Sequence, residues 1–285
     1  MTTTVQALLA EAAAGGAGSG CGEGDGEARR DGEVLLGHCL GRPRSWLFTW
    51  PEAEVPPEPA ARYRDLLARR RAGEPVAYLV GERDFWSLSL RVTAATLVPR
   101  PDTETLVSWA LDLPLPETAR VLDAGTGSGA IALALAAERP GWQLTALDRD
   151  PAALAVATGN AERLGLGPVR FLVSDWFAAL HGERFDLVVA NPPYLAADDP
   201  HLEGPALAHE PVQALVAGPT GLEDLATLAA AAPAQLAPGG WLLLEHGADQ
   251  GPAVRSLLAG AGFEAVATRR DLAGLERASG GRHAG

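Results

Sequence analysis

"VLDAGTGSGAIALALA", residues 121–136, decides the fold, because a short buried strand runs into a glycine-rich turn and a helix begins at once. The strand ends at Asp123. Three glycines then form the turn: Gly125, Gly127 and Gly129. Glycine permits a tight turn and lets a ligand approach the backbone closely. A turn of this kind also occurs without a ligand, so this stretch alone is weak evidence for a binding site.

After Pro101 the sequence alternates between strand-like and helical runs. Short apolar runs such as "QLTALD" and "FDLVVANPP" are separated by longer runs such as "PAALAVATGNAERLG". Strands that alternate with helices of this length predict an α/β fold with a doubly wound, mostly parallel sheet. We therefore expect a Rossmann-like domain over residues 101–285.

A helical pattern precedes this domain. We expect a small helical domain over residues 1–77, in which runs such as "PAARYRDLLARRRAG" end at a glycine, as helices do. Within it, residues 11–32 hold eight glycines and almost no large apolar side chain, so we expect a flexible segment. Aromatic and β-branched alternation over residues 78–100 predicts a β-hairpin linker.

Composition narrows the range of functions. Of the 285 residues, 47% are hydrophobic and 21% are charged, as in soluble globular proteins. No apolar run reaches the roughly 18 residues of a membrane span, and the N-terminus lacks the basic region of a secretory signal. Because the cysteines are only Cys21 and Cys39, a disulfide scaffold and a zinc cluster are excluded. We expect a cytoplasmic protein with no membrane partner and no metal.

The charged residues argue against three further classes of function. The sequence contains no lysine, which excludes Schiff-base chemistry and phosphoryl transfer with a P-loop lysine. Residues 1–100 carry 13 acidic residues and 12 arginines, whereas residues 101–285 carry 23 and 11. A surface that binds nucleic acid along its backbone is basic. We therefore expect no stable nucleic-acid partner for the acidic α/β half.

Five arginines lie on or near one predicted helix of the N-terminal domain: Arg62, Arg64, Arg69, Arg70 and Arg71. They fit a solvated helix face, which is the common arrangement, and they also fit a docking patch for an acidic partner. Both interpretations stay open at the level of sequence.

The spacing within the glycine-rich turn indicates its ligand. A dinucleotide fingerprint reads G-x-G-x-x-G, whereas this turn reads G-x-G-x-G after an acidic residue. The pattern favours S-adenosylmethionine, which carries no phosphates, over NAD. The candidate cofactor-binding residues of this stretch are Asp123, Gly125, Thr126, Gly127, Ser128 and Gly129.

Acidic residues follow the next two predicted strands. Asp148 ends "QLTALD", where a carboxylate can accept hydrogen bonds from both ribose hydroxyls. Its alternative role as a helix N-cap suits Asp150 better, because Asp150 precedes Pro151. Asp175 can accept from the adenine amino group and Trp176 can cover the ring, although Trp176 also fits a place in the hydrophobic core.

Asn191, Pro192, Pro193 and Tyr194 follow the fourth strand, at the same predicted edge of the sheet. None of these side chains titrates near neutral pH, so a general base is not expected. The stretch offers acceptors instead, namely the Asn191 side-chain oxygen and the Pro192 carbonyl, while the prolines stiffen the turn and Tyr194 offers a flat face. Such a site suits a planar –NH2 group and aims its nitrogen at a methyl donor by positioning and electrostatics. A purely structural Pro-Pro turn is the alternative.

Together these motifs resemble those of the bacterial glutamine methyltransferases of the PrmC/HemK family, which modify peptide-chain release factors. The four-residue NPPY motif is shared with amino-methyltransferases of DNA and RNA, whereas "VPRPDTE" combined with "EHG" is far more specific. The resemblance extends from about Glu33 onward and rests on these stretches: "PRPDTETLV" (99–107), "DAGTGSGAIALALA" (123–136), "SDWF" (174–177), "NPPY" (191–194), "DPHLEG" (199–204), "HEPVQAL" (209–215), "GGWLLLEHG" (239–247) and "DLAGLER" (271–277).

The resemblance implies an activity and its site. It implies methyl transfer from S-adenosylmethionine, with S-adenosylhomocysteine as product, to the side-chain N5 of the glutamine in the GGQ loop of class I release factors. It places the cofactor at residues 125–129, Asp148, Trp176 and Asn191, and the glutamine at residues 191–194. The implied catalytic residues are Asn191, Pro192 and Tyr194. Residues 11–32 depart from the ordinary helical sequence of the family, which leaves the first helix and the partner surface open.

One glutamine side chain is small, so selectivity must come from contacts remote from the chemistry. We assign that role to the N-terminal helical domain, with the Arg62–Arg71 cluster as its best candidate surface, and we expect a monomer. Two rival functions remain. An N-methyltransferase acting on exocyclic amino groups of DNA or RNA bases would share the site but should bring a basic recognition region. A cofactor sensor without activity would leave the substrate pocket unexplained.

Overall fold

The computed structural model describes residues 3–14, 25–204 and 207–285. The chain divides into two compact units. One contains Met1–Gly81 with Pro200–His209, and the other contains Glu82–Asp199 with Glu210–Gly285. None of the helices in the described part of the chain is long and apolar enough to cross a membrane.

The described residues of the first unit form five α-helices, one short strand pair and a 3₁₀ helix over Pro200–Glu203. Strands β1 (Thr3–Thr4) and β2 (Glu54–Val55) pair antiparallel. The helices pack their apolar sides together around Leu8, Leu35 and Tyr63, which are fully buried. The helices are α1 (Val5–Ala14), α2 (Asp25–Leu40), α3 (Arg44–Thr49), α4 (Pro57–Arg71) and α5 (Val76–Val80).

The structure is helical at both ends of the segment that was predicted to be flexible, residues 11–32. Helix α1 continues to Ala14 and α2 begins at Asp25, while residues 15–24 lie outside the described residues. The physical reason lies at Gly32, where an added Cβ would come within 2.5 Å of the Ala12 Cβ and 3.0 Å of the Tyr63 hydroxyl. The missing side chain lets α1 and α2 approach closely, so a count of glycines misleads here.

The arginines of α4 are engaged within their own unit. Arg64 pairs with Glu11 at 2.7 Å, Arg69 with Glu74 at 2.6 Å, and Arg70 with Asp31 at 2.7 Å. Arg71 donates to the Glu11 carbonyl and Arg62 contacts His38. Much of the charge of this cluster is therefore balanced by neighbouring acids, which weakens its interpretation as a docking patch for an acidic partner.

The second unit begins with a β-hairpin. Strands β3 (Glu82–Phe85) and β4 (Leu88–Arg91) pair antiparallel across a turn in which Trp86 has a positive φ of 56°. The hairpin covers residues 82–91, so it is shorter than the linker predicted over residues 78–100. Residues 78–80 belong to α5, and the hairpin groups with the second unit.

A seven-stranded sheet forms the centre of the second unit, in the order β12-β13-β11-β8-β5-β6-β7. Neighbours among β5, β6, β7, β8 and β11 run parallel, and β13 runs antiparallel to both β11 and β12. The strands are β5 (Arg120–Ala124), β6 (Gln143–Asp148), β7 (Arg170–Val173), β8 (Phe185–Ala190), β11 (Leu236–Glu245), β12 (Phe263–Arg270) and β13 (Glu276–His283). A small parallel pair, β9 (Leu195–Ala196) with β10 (Val216–Gly218), lies outside this sheet.

Helices connect the parallel strands and cover both faces of the sheet. Alternate residues of one strand enter different cores: Val121 packs with Leu133 on one side, and Leu122 packs with Leu228 on the other. The helices are α6 (Glu104–Asp112), α7 (Ala130–Glu138), α8 (Pro151–Leu164), α9 (Glu223–Ala231) and α10 (Gly251–Gly260). The doubly wound, mostly parallel α/β fold expected from the sequence is confirmed.

The antiparallel pair at the end of the chain has no counterpart among the predicted strands. Strand β13, "ERASGGRH", lacks apolar alternation. Its glycines are needed for packing, because a Cβ at Gly280 would lie 2.4 Å from a methyl group of Leu243 on β11. Close approach of backbone to neighbouring side chains therefore replaces the usual β-branched residues in this strand.

Candidate active site

A cavity opens at the carboxyl ends of β5, β6, β7 and β8. The chain continues from β5 to β6 and β7 on one side and then returns to β8 on the other, so the strand order reverses between β5 and β8. Ligands of open α/β sheets bind at such a reversal. The cavity is open to solvent, and its empty space together with that open solvent amounts to about 920 Å³. The predicted site residues in its wall are Gly125, Thr126, Gly127, Ser128, Asp148, Asp175, Trp176, Asn191 and Pro193.

The glycine-rich turn between β5 and α7 forms the floor of the cavity. Gly125, Gly127 and Gly129 have φ values of 80°, 54° and 87°, in the left-handed region that favours glycine. Asp123 lies beneath the turn, outside the cavity wall, where its carboxylate accepts from the Thr126 hydroxyl at 2.6 Å and from the Ala132 N–H at 3.1 Å. Asp123 and Gly129 thus shape the turn from outside the cavity wall.

The buried carboxyl of Asp123 has a shifted pKa. Burial raises its pKa to about 6, against the lowering effect of the hydrogen bonds from Thr126 and Ala132. The group connects the turn to the start of α7 through these two hydrogen bonds.

Asp148 ends β6 at the cavity wall. Its Oδ2 accepts from the Gly127 N–H at 2.9 Å, and its Oδ1 accepts from the Asp150 N–H at 2.9 Å. Each carboxylate oxygen has two acceptor positions, so both oxygens keep capacity for a further donor. The helix N-cap is Asp150, which accepts from the Ala152 N–H at 2.8 Å.

Trp176 lies in the cavity wall beside the turn, and its ring comes within 3.4 Å of the position that a Cβ on Gly125 would take. Its backbone has a positive φ of 42°, and its indole N–H donates to Asp224 at 3.3 Å. The ring also packs against one of the two cores, so Trp176 lies both in the cavity wall and at the edge of a core. Asp175 is exposed at the rim.

Asn191 follows β8 and reaches the cavity beside Pro193. Its Nδ2 donates to the Thr103 hydroxyl at 3.2 Å, and Thr103 lies at the end of a 3₁₀ helix over Pro101–Thr103. Pro192 and Pro193 are both buried, which fixes the turn after the strand. Only Pro193 of the two contributes to the cavity wall.

Tyr194 lies outside the cavity wall and turns its hydroxyl toward Glu245, the last residue of β11, at 3.5 Å. Burial, and then the neighbouring Glu245 charge, raise the pKa of the Tyr194 hydroxyl. Burial raises the pKa of Glu245 to about 7, against hydrogen bonding by the Thr103 and Tyr194 hydroxyls and the positive charge of Arg277. A titratable group therefore does lie near the site, one layer behind the residues predicted from sequence.

Sequence analysis assigned no role to several residues in and beside the wall. Arg100 reaches the cavity and forms an ion pair with Glu210, which is buried and also accepts from the Val98 N–H. Gln213 lines the cavity and donates to Asp150 at 3.2 Å. The stretches "PRPDTETLV" and "HEPVQAL" contain these residues. The motifs therefore marked their positions in the sequence but did not show which residues they contact.

Comparison with known proteins shows the family of the chain. Residues 21–81 match the PrmC N-terminal domain family, and residues 102–215 match the methyltransferase small domain family. A release factor glutamine methyltransferase of Pseudomonas aeruginosa is 55% identical over 90% of this chain and 93% of its own length. The protein of that name from Escherichia coli K12 is 47% identical over 90% of this chain and 92% of its own length.

A solved methyltransferase structure from Pyrococcus furiosus superposes with a TM-score of 0.53 at 19% identity, over 79% of this chain and 97% of that chain. At this identity the likeness supports the fold alone, whereas the sequence relatives carry the family. The chain therefore belongs to the release factor glutamine methyltransferase family.

Proposed function

We propose that this protein transfers the methyl group of S-adenosylmethionine to the side-chain N5 of the glutamine in the GGQ loop of class I release factors. The observation that carries the proposal is one cavity whose wall contains the glycine-rich turn, Asp148 and Asn191, in a chain of this family. The first two suit a nucleoside, and the third suits a planar amide.

The residues present fit the cofactor. A Cβ at Gly127 would meet no atom within 4 Å, so a ligand has room to lie against the backbone there. Asp148 keeps free acceptor capacity for two ribose hydroxyls, and the Trp176 ring offers a face for a base. When bound, S-adenosylmethionine supplies a methyl group activated by a positively charged sulfur.

Asn191 and Pro192 provide the proposed acceptors for the substrate amide. Because Asn191 Nδ2 already donates to Thr103, its Oδ1 is the end left to accept from the glutamine –NH2 group. With the Pro192 carbonyl as second acceptor, the amide nitrogen is held in one orientation, which lowers the entropic part of the barrier. Tyr194 supports this turn from behind through its contact with Glu245, rather than as a wall of the cavity.

Selectivity for the release factor is proposed to reside in the first unit. It exposes large apolar side chains, Phe48 at 53% and Trp50 at 55%, whereas the arginines of α4 are largely paired. Tyr, Trp and Phe, like Arg, are enriched at protein interfaces, and here most of the arginines are already engaged by acids of the same unit. These two side chains are therefore better candidates for contact with the protein substrate than the arginine cluster.

Methyl transfer from labelled S-adenosylmethionine tests the proposal. Purified protein is incubated with an intact release factor, with the same factor carrying asparagine in place of the GGQ glutamine, with tRNA and with DNA. We expect label in the first acceptor alone. Label in tRNA or DNA, with none in the release factor, would overturn the proposal in favour of a nucleic-acid amino-methyltransferase.

A further inference from the structure

Gln250 is a half-buried side chain that the steps above do not use. It stands immediately before α10, where its N–H donates to the Gly247 carbonyl at 3.0 Å and its carbonyl accepts from the Val254 N–H at 3.0 Å. Its side chain makes no capping hydrogen bond to the helix, and the side chains usual at that position are those of Ser, Thr, Asp and Asn. The backbone of Gln250 is thus fixed, while its amide serves another part of the molecule.

The Gln250 amide joins three loops through their backbone groups. Its Oε1 accepts from the Gly247 N–H at 2.8 Å, in the loop after β11. Its Nε2 donates to the Tyr194 carbonyl at 2.9 Å, after β8, and to the Gly221 carbonyl at 3.2 Å, before α9. Because the amide faces two acceptors and one donor, only one of its two orientations satisfies all three partners.

The loops approach each other closely at this point. Gly221 has a positive φ of 74°, and a Cβ there would lie 2.6 Å from the Tyr194 carbonyl oxygen and 3.1 Å from Gln250 Nε2. A side chain at position 221 would therefore push its loop away from the loop that follows β8. Glycine at 221 and glutamine at 250 together allow the Tyr194 carbonyl to be held.

The turn over residues 191–194 depends on anchors outside itself. Pro192 and Pro193 have no N–H groups, so this part of the turn donates no backbone hydrogen bonds of its own. The Pro192 carbonyl, the proposed second acceptor for the substrate amide, is a backbone atom whose position no rotamer change can correct. Two residues further on, the Tyr194 carbonyl accepts from Gln250 and fixes the exit of the turn.

We infer that Gln250 is a positioning residue for methyl transfer, which holds the turn over residues 191–194 where Asn191 and Pro192 can accept from the substrate amide. This inference rests on the proposed function, because it assumes that these two residues bind a substrate –NH2 group. Gln250 lies outside the cavity wall, so it acts through the Tyr194 carbonyl and touches neither substrate nor cofactor. A displacement of about 1 Å at a reacting group can lower the rate about a hundredfold.

The first test is turnover with release factor and cofactor both saturating, at a temperature where circular dichroism shows each protein folded. Gln250→Met keeps the length of the side chain and removes all three hydrogen bonds. Gln250→Glu keeps an oxygen for the Gly247 N–H but sets its other oxygen against two carbonyls. Both variants should lower kcat by about 10- to 100-fold, while calorimetric affinity for S-adenosylmethionine stays close to that of the wild type.

Gln143→Glu is the matched control, because Gln143 is exposed at the start of β6, at the opposite edge of the sheet. It should retain the wild-type kcat. A role in stability alone would lower the melting temperature without lowering the kcat of the folded enzyme. Wild-type kcat in either Gln250 variant would overturn the inference, and so would a loss of cofactor affinity as large as the loss of kcat. If neither variant folds, Gly221→Ala disturbs the same contact and is judged by the same two outcomes.

The second test needs no turnover and separates this inference from the proposed function. Hydrogen–deuterium exchange is followed by mass spectrometry in the wild type, Gln250→Met and Gln143→Glu. Exchange over residues 191–197 should be faster in Gln250→Met alone, while exchange over residues 125–131 should be equal in all three proteins. Unchanged exchange over residues 191–197 in Gln250→Met would overturn the inference. Absence of methyl transfer to a release factor by the wild type would count against the proposed function, while exchange still decides whether Gln250 holds the turn.

Discussion

Asn191 donates from its side-chain Nδ2 to the Thr103 hydroxyl over 3.2 Å, although the two residues are 88 positions apart. The contact joins the end of β8 to the segment that precedes the sheet. One end of the Asn191 amide is therefore already engaged, and the other end remains for a substrate. A site prepared in this way stabilises the reacting geometry without a general base.

Replacement of Asn191 tests whether its preorganised side-chain amide contributes to the reaction. Asn191→Ala should reduce kcat by ~10²–10³, the effect of losing one preorganised polar contact. Affinity for S-adenosylmethionine should fall only modestly, because Asp148 and the glycine-rich turn remain. Single-turnover kinetics and calorimetry on the same preparation measure both quantities. Turnover close to that of the wild type would remove Asn191 from the reaction.

Asp148 should matter for affinity rather than for turnover. Asp148→Ala should weaken cofactor binding by roughly 1.5–3 kcal/mol, as for lost hydrogen bonds to a charged group, and turnover at saturating cofactor should survive better than in Asn191→Ala. Asp186→Ala is the control, because Asp186 also accepts a backbone N–H but lies at the other end of the sheet. Equal affinities of the wild type and Asp148→Ala in calorimetry would contradict the ribose role.

The raised pKa of Glu245 predicts a dependence of stability on pH. The ordinary pKa of this group is 4.5 and its folded value is about 7. Between these values the folded protein keeps a proton that the unfolded chain has lost, so stability from this group is present below pH 4.5 and is lost as pH rises to about 7. The loss amounts to about 3 kcal/mol.

Glu245→Gln keeps a neutral side chain at all pH values. Its melting temperature should therefore rise relative to that of the wild type as pH increases from 4.5 to 8, and calorimetric scans in a pH series measure this. Asp123, whose pKa is raised to about 6, has an effect of the same sign in both proteins and cancels in the comparison. Parallel melting curves for the two proteins would show that Glu245 does not titrate in this range.

The exposed aromatic side chains of the first unit should affect recognition of the intact substrate. Phe48→Ala combined with Trp50→Ala should raise KM for a whole release factor and leave KM for a short GGQ peptide unchanged. Leu272, which is fully exposed on the second unit, gives a control as Leu272→Ala. Initial rates on both substrates measure the difference. An unchanged KM for the whole factor would assign recognition to another surface.

Removal of residues 1–80 gives a coarser test of the same assignment. Cofactor binding should persist, because the cavity wall consists of residues from the second unit. Activity on the intact factor should fall more than activity on the peptide. Equal losses on both substrates, in a truncation whose circular dichroism shows a folded protein, would mean that the first unit only supports the fold.

Local sequence predicts the parts of the site that are built from local geometry. The turn at residues 125–129 needs glycine because its φ values are positive, and Asp148 follows the next strand at a fixed place. The alternation of strands and helices was therefore enough to place the proposed cofactor residues at one edge of the sheet.

Contacts between distant segments could not be predicted in this way. Arg100 and Glu210 are 110 positions apart, and Glu245 meets Tyr194 across 51 positions. No periodicity links such pairs, so the acid behind Tyr194 was missed and Tyr194 itself was assigned a flat face toward the substrate. Strand β13 was missed for a related reason, since its glycines are selected by packing against Leu243 and not by strand propensity.

The most direct measurement of the central claim is the position of the transferred methyl group. A purified class I release factor is incubated with this protein and S-adenosylmethionine, digested, and analysed by fragmentation mass spectrometry, with Asn191→Ala as the inactive comparison. The account predicts one added methyl group on the side-chain nitrogen of the GGQ glutamine, absent with the variant. A methyl group on any other residue, or an unmodified glutamine with fully folded wild-type protein, would contradict it.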